Sequence, residues 1–566
     1  MNFMKRSSIL ALACVAASTV QAQQTAAPYT HATRYNESGQ VTGTIAPDPD
    51  GSGILAYRAT RNTYGTSGAT LGMLVKVEMG ELASWANENV APSNWGSYGF
   101  AVYLTKTFDY DSRGRKSAER VIGSDLVTES LTQYSYDDWN RVRCKAVRMN
   151  KAAFSGPASD ACALGTEGSE GPDRVTRYSY NNFDLVLTEE RAVGTTLAQT
   201  YVTNQYELDT RLLRFQTDAN GNKTELQYDQ HQRLSKRIYP SPTSAGSVNA
   251  SDYNQYDYDN NGNVDFERKR NGQTINYTID ANNRVTFKNL SDNTHSADIT
   301  YNYDLRGLTL SSCFGSSDNC VGTGSGETNT FTGFGELQSR NSRMFGVDRS
   351  LSYLYDRDGN RTRITHPGSV SFSYGFDGLN RMCTLAEGTT AAPCDGTSHM
   401  LKVTYRPSGG RLDLLRPGGA TTNIDLDNVL RLESFTQNFA GTTHDLLNEF
   451  EYNPANQIRV LSQSNSLYTY DQLGSRTGTY GANGLNQISS IAGVSLTHDA
   501  NGNVTNDGAG MTYSYDMENH LVGTGGLKTS TLAYDVLGRL AQIVVDGNTT
   551  QFHYDGEALV GEYLNG

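Results

Sequence analysis

Beyond residue 20 the chain has no apolar run of the length that a transmembrane helix needs, so nothing after its first segment reads as a membrane span. Sustained helical periodicity is also missing, which argues against a helical fold. Proline is scarce, 13 in 566 residues, while 10% of residues are aromatic, and the two together exclude a disordered chain. Positive charge is in deficit, with 47 Lys and Arg against 60 Asp and Glu and a formal charge of -13. Nucleic acid is therefore not expected as a partner, because phosphate binding needs a concentrated basic face. Signatures of chemistry are absent too. There is no Gly-x-Ser-x-Gly elbow, phosphate loop, His-Glu-x-x-His helix or dinucleotide fingerprint, and the nine histidines, among them His31, His231, His366, His498 and His553, are scattered. The chain reads as non-enzymatic, with no catalytic residue and no cofactor expected. A metal is not expected either. Asp257 to Gly262 fits the first half of a calcium loop, but position twelve of that frame is Arg268, where a bidentate acid should stand. The glycine run Gly322, Gly324 and Gly326 lacks the strand-to-helix setting of a phosphate site.

What the chain has instead is a motif, repeated along almost its whole length. Tyrosine, then aspartate, then Gly or Asn three residues on, recurs at spacings often near twenty residues or small multiples of it. The copies are Tyr110-Asp111 with Gly114, Tyr136-Asp137 with Asn140, Tyr258-Asp259 with Gly262, and Tyr355-Asp356 with Gly359. Further copies are Tyr470-Asp471 with Gly474, Tyr515-Asp516 with Asn519, and Tyr534-Asp535 with Gly538. Phe376-Asp377 with Asn380 keeps the pattern with the other ring, and Tyr35-Asn36 with Gly39 softens it. A period of this length marks a repeat architecture in which no single unit can bury its own apolar face.

Each copy reads as strand, turn, strand. Aspartate favours the first position of a type I turn, where its carboxylate accepts from backbone amides further along. The residue three later has to sit at positive φ to complete a three-residue hairpin loop, which Gly and then Asn do at least cost. Tyrosines two apart, such as Tyr513 and Tyr515, project from one side of a strand, so successive hairpins are expected to stack their rings into a ladder. The fold class is all-β, a long array of hairpins in one continuous, spiralling antiparallel sheet that forms a shell or part of one.

The first residues read as an export signal. Lys5 and Arg6 precede an apolar stretch from Ile9 to Val20, and cleavage is expected after Ala22; Cys14 gives a weak suggestion of a lipid attachment site. Removing the signal would take the charge to -15, two cations fewer than the whole chain. The expected location is extracellular, at the cell surface or in the periplasm. The six remaining cysteines fall as neighbours, Cys144 with Cys162, Cys313 with Cys320, and Cys383 with Cys394. Each pair brackets a polar insertion, and an even count in an exported chain argues for disulfides paired in that order. Residues 23–100 carry only degenerate repeats and read as a leading cap with a short helix around Met79 to Asn87; residues 101–566 are the array. Ala152 to Asp173, Ser241 to Asp252, Ser311 to Thr328 and Gly388 to Met400 are surface loops by composition.

The Tyr-Asp-x-x-Gly-Arg copies, the paired tyrosines and the period together resemble the RHS/YD-repeat family, over roughly Tyr35 to the end. The resemblance implies a spiralling sheet that closes as a hollow shell, of the kind whose bacterial members enclose a C-terminal toxin domain in intercellular competition. It also implies, as an alternative, carbohydrate binding or cell contact through the tyrosine-lined surface. The partners implied are thus a toxin domain encoded downstream or separately, or a cell-surface polysaccharide. The family's closing Asp-Pro-x-Gly segment is not matched near Tyr554 to Gly566, so the array reads as truncated there; Asp48-Pro49-Asp50-Gly51 reads as a turn.

Overall fold

The computed structural model describes residues 30–50, 55–315, 320, 324–390, 392–406, 408–469 and 478–565. The export signal, Cys14, Gly51, Gly322 and the copy at Tyr470, Asp471 and Gly474 lie outside them. Among the described residues there are 43 strands, joined almost throughout by hairpins, and the few helical turns are short 3-10 segments. The first 32 strands pair antiparallel, each with the next in sequence, from Ala32–Tyr35 to Ile458–Gln463. Two further sheets are described after that point. Tyr480–Ala482 opens a sheet of three strands and Thr497–His498 a sheet of eight, both again in sequence order.

The expected helix around Met79 does not form. Met79 lies in the strand Leu74–Leu82, where Gly80 is packed so closely against the Ala101 carbonyl that a Cβ would lie 2.0 Å from its oxygen. The helical turn comes later, at Pro92–Tyr98, and its Trp95 is fully buried among Ala32, Ile45, Ala59, Leu82 and Ala86. Two of the expected surface loops are also shorter than composition suggests. Val248–Tyr258 is one long strand, and Thr309–Phe314 and Gly326–Phe331 are paired strands. β-branched and serine-rich stretches with little apolar content still enter a sheet when both edges are offered partners.

The core is distributed along the sheet. Apolar clusters are small, such as Ala118, Leu131 and Phe154, which span neighbouring hairpins. Two join residues far apart in sequence: Val560 packs on Leu351, Tyr353 and Ile364, and Met517 meets Ile275 and Leu290 from more than 200 residues earlier. The strip therefore winds past itself.

Candidate functional site: the repeat turn and the seam between circuits

The turn at Asp137 shows what each motif residue does. Asp137 Oδ1 accepts from the amides of Trp139 and Arg141, both at 3.0 Å, and Oδ2 accepts from Arg141 Nε at 2.7 Å. Asn140 has φ of 66° and closes the loop with its amide on the Asp137 carbonyl at 3.1 Å. Tyr136 donates its hydroxyl to the Lys116 carbonyl of the preceding repeat at 2.8 Å. Arg141 reaches the other way, to the Asn181 carbonyl at 2.8 Å and Asp184 at 3.0 Å, with its guanidinium 4.6 Å from the Tyr180 ring centre. Tyrosine thus ties each repeat to the one before, and arginine ties it to the one after.

The same bonds recur around the strip. Tyr110, Tyr258, Tyr355 and Tyr534 donate to the carbonyls of Leu74, Leu234, Leu337 and Leu521. Asp111, Asp259, Asp356, Asp516 and Asp535 each accept from the amide four residues on. Gly114, Gly262, Gly359, Asn380, Asn519 and Gly538 all have positive φ. The hydrogen bond from Arg284 holds the Asp280 carboxyl below its usual range. In turns outside those copies the same left-handed position is taken by Asp184, Gln232 and Leu430. One expectation is corrected: among the described residues the rings of the motif do not form a ring-on-ring ladder. Arginines interleave them, Arg115 over Tyr136, Arg233 over Tyr258, Arg284 over Tyr303 and Arg431 over Tyr452, at 4.3 to 4.6 Å. A guanidinium stacked on a ring and bonded to a carboxylate satisfies more of its surroundings than a second ring would.

Because strands alternate in direction, all repeat turns lie on one edge of the strip and the other hairpins on the opposite edge. From Asp377 onward the repeat turns dock on the opposite edge of the first circuit. Asn428 donates to Asp125 at 2.8 Å, 303 residues away. Asn486 bonds Asp218 and Asn222 at 2.7 and 2.8 Å. Asn271 donates its amide to Asn501 at 3.0 Å, and Ser296 donates to Asp516 at 2.8 Å. Lys288 pairs with Glu518 and Arg539 with Glu327, the latter pair buried. Tyr353 donates to Asp555 at 2.8 Å, now only 202 residues apart, so later circuits take up less chain.

A cleft of about 620 Å³ opens on this seam, lined by Lys288, His295, Ser296, Tyr301, Asp516, Glu518, His520 and Tyr534. Its polar groups are committed to the seam. Asp516 receives Ser296 on one side and His520 Nδ1 at 2.9 Å on the other, so the serine hydroxyl is bonded to the carboxylate. His520 stands where other repeats have arginine and, like them, stacks on the next tyrosine, Tyr534, at 4.5 Å. The Asp516 hydrogen bond raises the imidazole above its ordinary value, against the opposing effect of burial. Burial pushes Tyr301 up to about 12. Near the end of the strip His553 is 2% exposed with neither ring nitrogen bonded, and burial together with the Arg349 cation lowers it to about 4. Sequence reasoning passed over both histidines because only the winding reveals their surroundings.

Sulfur joins Cys144 to Cys162, Cys313 to Cys320, and Cys383 to Cys394. The insertion at 152–173 is more than a surface loop. Asp173, 6% exposed, accepts from the Met149 and Gly165 amides and from Arg148, all within 2.8 Å, and pins the loop down on the sheet.

No family model matches the chain. Part of it resembles curated proteins: it is 35% identical over 108 residues to the tRNA3(Ser)-specific nuclease WapA of Bacillus spizizenii, and 34% over 108 residues to the tRNA nuclease WapA of Bacillus subtilis. Each match covers 16% of this chain and 5% of the relative. Solved structures match far more of it. The TcdB2-TccC3-TEV crystal structure superposes with a TM-score of 0.64 over 93% of this chain and 30% of that one, at 11% identity. The fold is shared. A Photorhabdus luminescens Tc holotoxin pore matches as well, with a TM-score of 0.53 over 94% of this chain and 31% of that one, at 13% identity. The chain spans under a third of these structures and a small part of the WapA proteins. Among the described residues no helix is long and apolar enough to cross a membrane.

Proposed function

We propose that the chain is an exported, non-enzymatic scaffold, a wall segment of a shell that encloses or presents a toxin domain. The observation that carries this reading is the seam. A strip whose repeat turns dock on its own opposite edge makes a wall around a space, and the polar groups along that edge are spent on holding the circuits together. One structure that shares its fold is a Tc holotoxin pore, and the proteins it partly matches are nucleases. The alternative of a tyrosine platform for polysaccharide has less support, because the motif rings carry arginines on their faces and their hydroxyls are bonded to carbonyls.

The test is co-expression with a small cytotoxic domain encoded beside or downstream of it, followed by limited proteolysis. The cargo should survive with the intact wall and be cut when Met517→Asp opens the seam. Equal digestion with and without the wall would sink the proposal.

A further inference from the structure

The seam is a template for contact between two edges of the strip, and among the described residues one edge of each kind is free. In the second circuit the residue directly after the turn aspartate or asparagine is covered at three turns: Met517 and Val536 are each 3% exposed and Pro454 is fully buried, although the next residue, Leu537, is 50% exposed. In the first circuit no strip lies beneath the tips among the described residues, yet several are large and apolar. Trp139, Phe183 and Leu208 stand on three successive repeat turns, 73%, 47% and 87% exposed. Leu305 and Phe334 stand on two more, both almost wholly exposed. Repeat turns lie two strands apart, about 10 Å, so the first three tips make an apolar strip on the order of 20 Å long. At the other end of the molecule, the hairpin edge of the second circuit is the same kind of edge that receives tips inside the seam. It presents Phe439, Leu467 and Leu527, the last 80% exposed.

We propose that copies of this chain stack head to tail, the free repeat-turn rim of one docking on the free hairpin rim of the next. The occupant is a second copy because this chain already pairs these two edge types with each other, through apolar tips set among amide and carboxylate contacts such as Asn486 with Asp218 and Asn222. Such a contact joins two different surfaces and leaves one of each free, so it propagates as an open stack and does not stop at a closed dimer. Stacking would lengthen the wall without further chain. The inference rests on the seam and not on any cargo.

Sedimentation of the full chain across the micromolar range tests it. The mass of the wild type should rise with concentration beyond that of a dimer. Phe183→Asp with Leu208→Asp blocks one rim, and Leu467→Asp with Leu527→Asp blocks the other; each double variant alone should be monomeric. Mixed together they should form equimolar pairs, because each keeps the rim that the other lacks. All four side chains are exposed, so unchanged circular dichroism and protease resistance would show that the variants fold. A wild type that stays monomeric overturns the proposal and leaves the scaffold reading standing. So does a mixture that fails to pair, or a hairpin-rim variant that dimerises on its own, which would mean that like rims meet face to face.

Discussion

Leu305 and Met517 hold the same place in their repeats, one residue after the turn aspartate, yet Leu305 is fully exposed and Met517 is 3% exposed. The local turn is the same in both, with Asp304 and Asp516 each accepting the amide four residues on. The difference comes from what lies beneath. Met517 is in the second circuit and rests on Ile275 and Leu290, whereas Leu305 is on the free rim of the first. One motif thus does two jobs, coupling neighbours along the strip in every repeat and joining circuits only where the strip has come round.

Substitutions can break that contrast to different degrees. The largest loss should follow Arg539→Met on the seam, since it leaves Asp535 buried without its cation and Glu327 with only the more distant Arg340; about 3 to 5 kcal/mol is expected, read from the urea midpoint. Met517→Ala should cost about 2 to 3 kcal/mol, while Leu305→Ala should stay within about 0.5 kcal/mol. Equal effects at these two sites would remove the distinction between circuits.

Smaller and opposite effects are expected from pH. His520 is raised in the folded protein, so its contribution is fully present below the ordinary histidine value and is lost as pH rises through the folded value. Thermal melting should therefore show an alkaline decline that His520→Arg removes. His553 is lowered to about 4, so its neutral form supports the fold above the ordinary value, and that support is lost as pH falls toward about 4. The acid limb should shrink in His553→Gln; an unchanged limb would assign it to the carboxylates. The smallest effect belongs to the turn itself. Gly359→Ala meets no neighbour within 4 Å and pays only for its φ of 81°, about 1 kcal/mol, in one repeat among many.

The repeat turn was legible in the sequence because its chemistry is local: Asp137, Asn140 and the intervening residues are within one loop, and turn geometry restricts what can stand there. The partners of Tyr136 and Arg141 were not legible, since they lie in the repeats before and after, at Lys116 and Asn181. The seam was further out of reach. Nothing about Met517 as a residue distinguishes it from Leu305, and only the number of hairpins per circuit decides which tip is covered. The helix expected near Met79 failed for a related reason, because a stretch without clear alternation was taken into the sheet by the strands on either side.

The most direct test of the account is a charge swap across the seam at Lys288 and Glu518, 230 residues apart in sequence. Lys288→Glu and Glu518→Lys should each lower the melting temperature and shorten the protease half-life, and the double swap should restore most of both. Losses that simply add in the double variant would mean that the two circuits do not meet there, and the wall as described would be wrong.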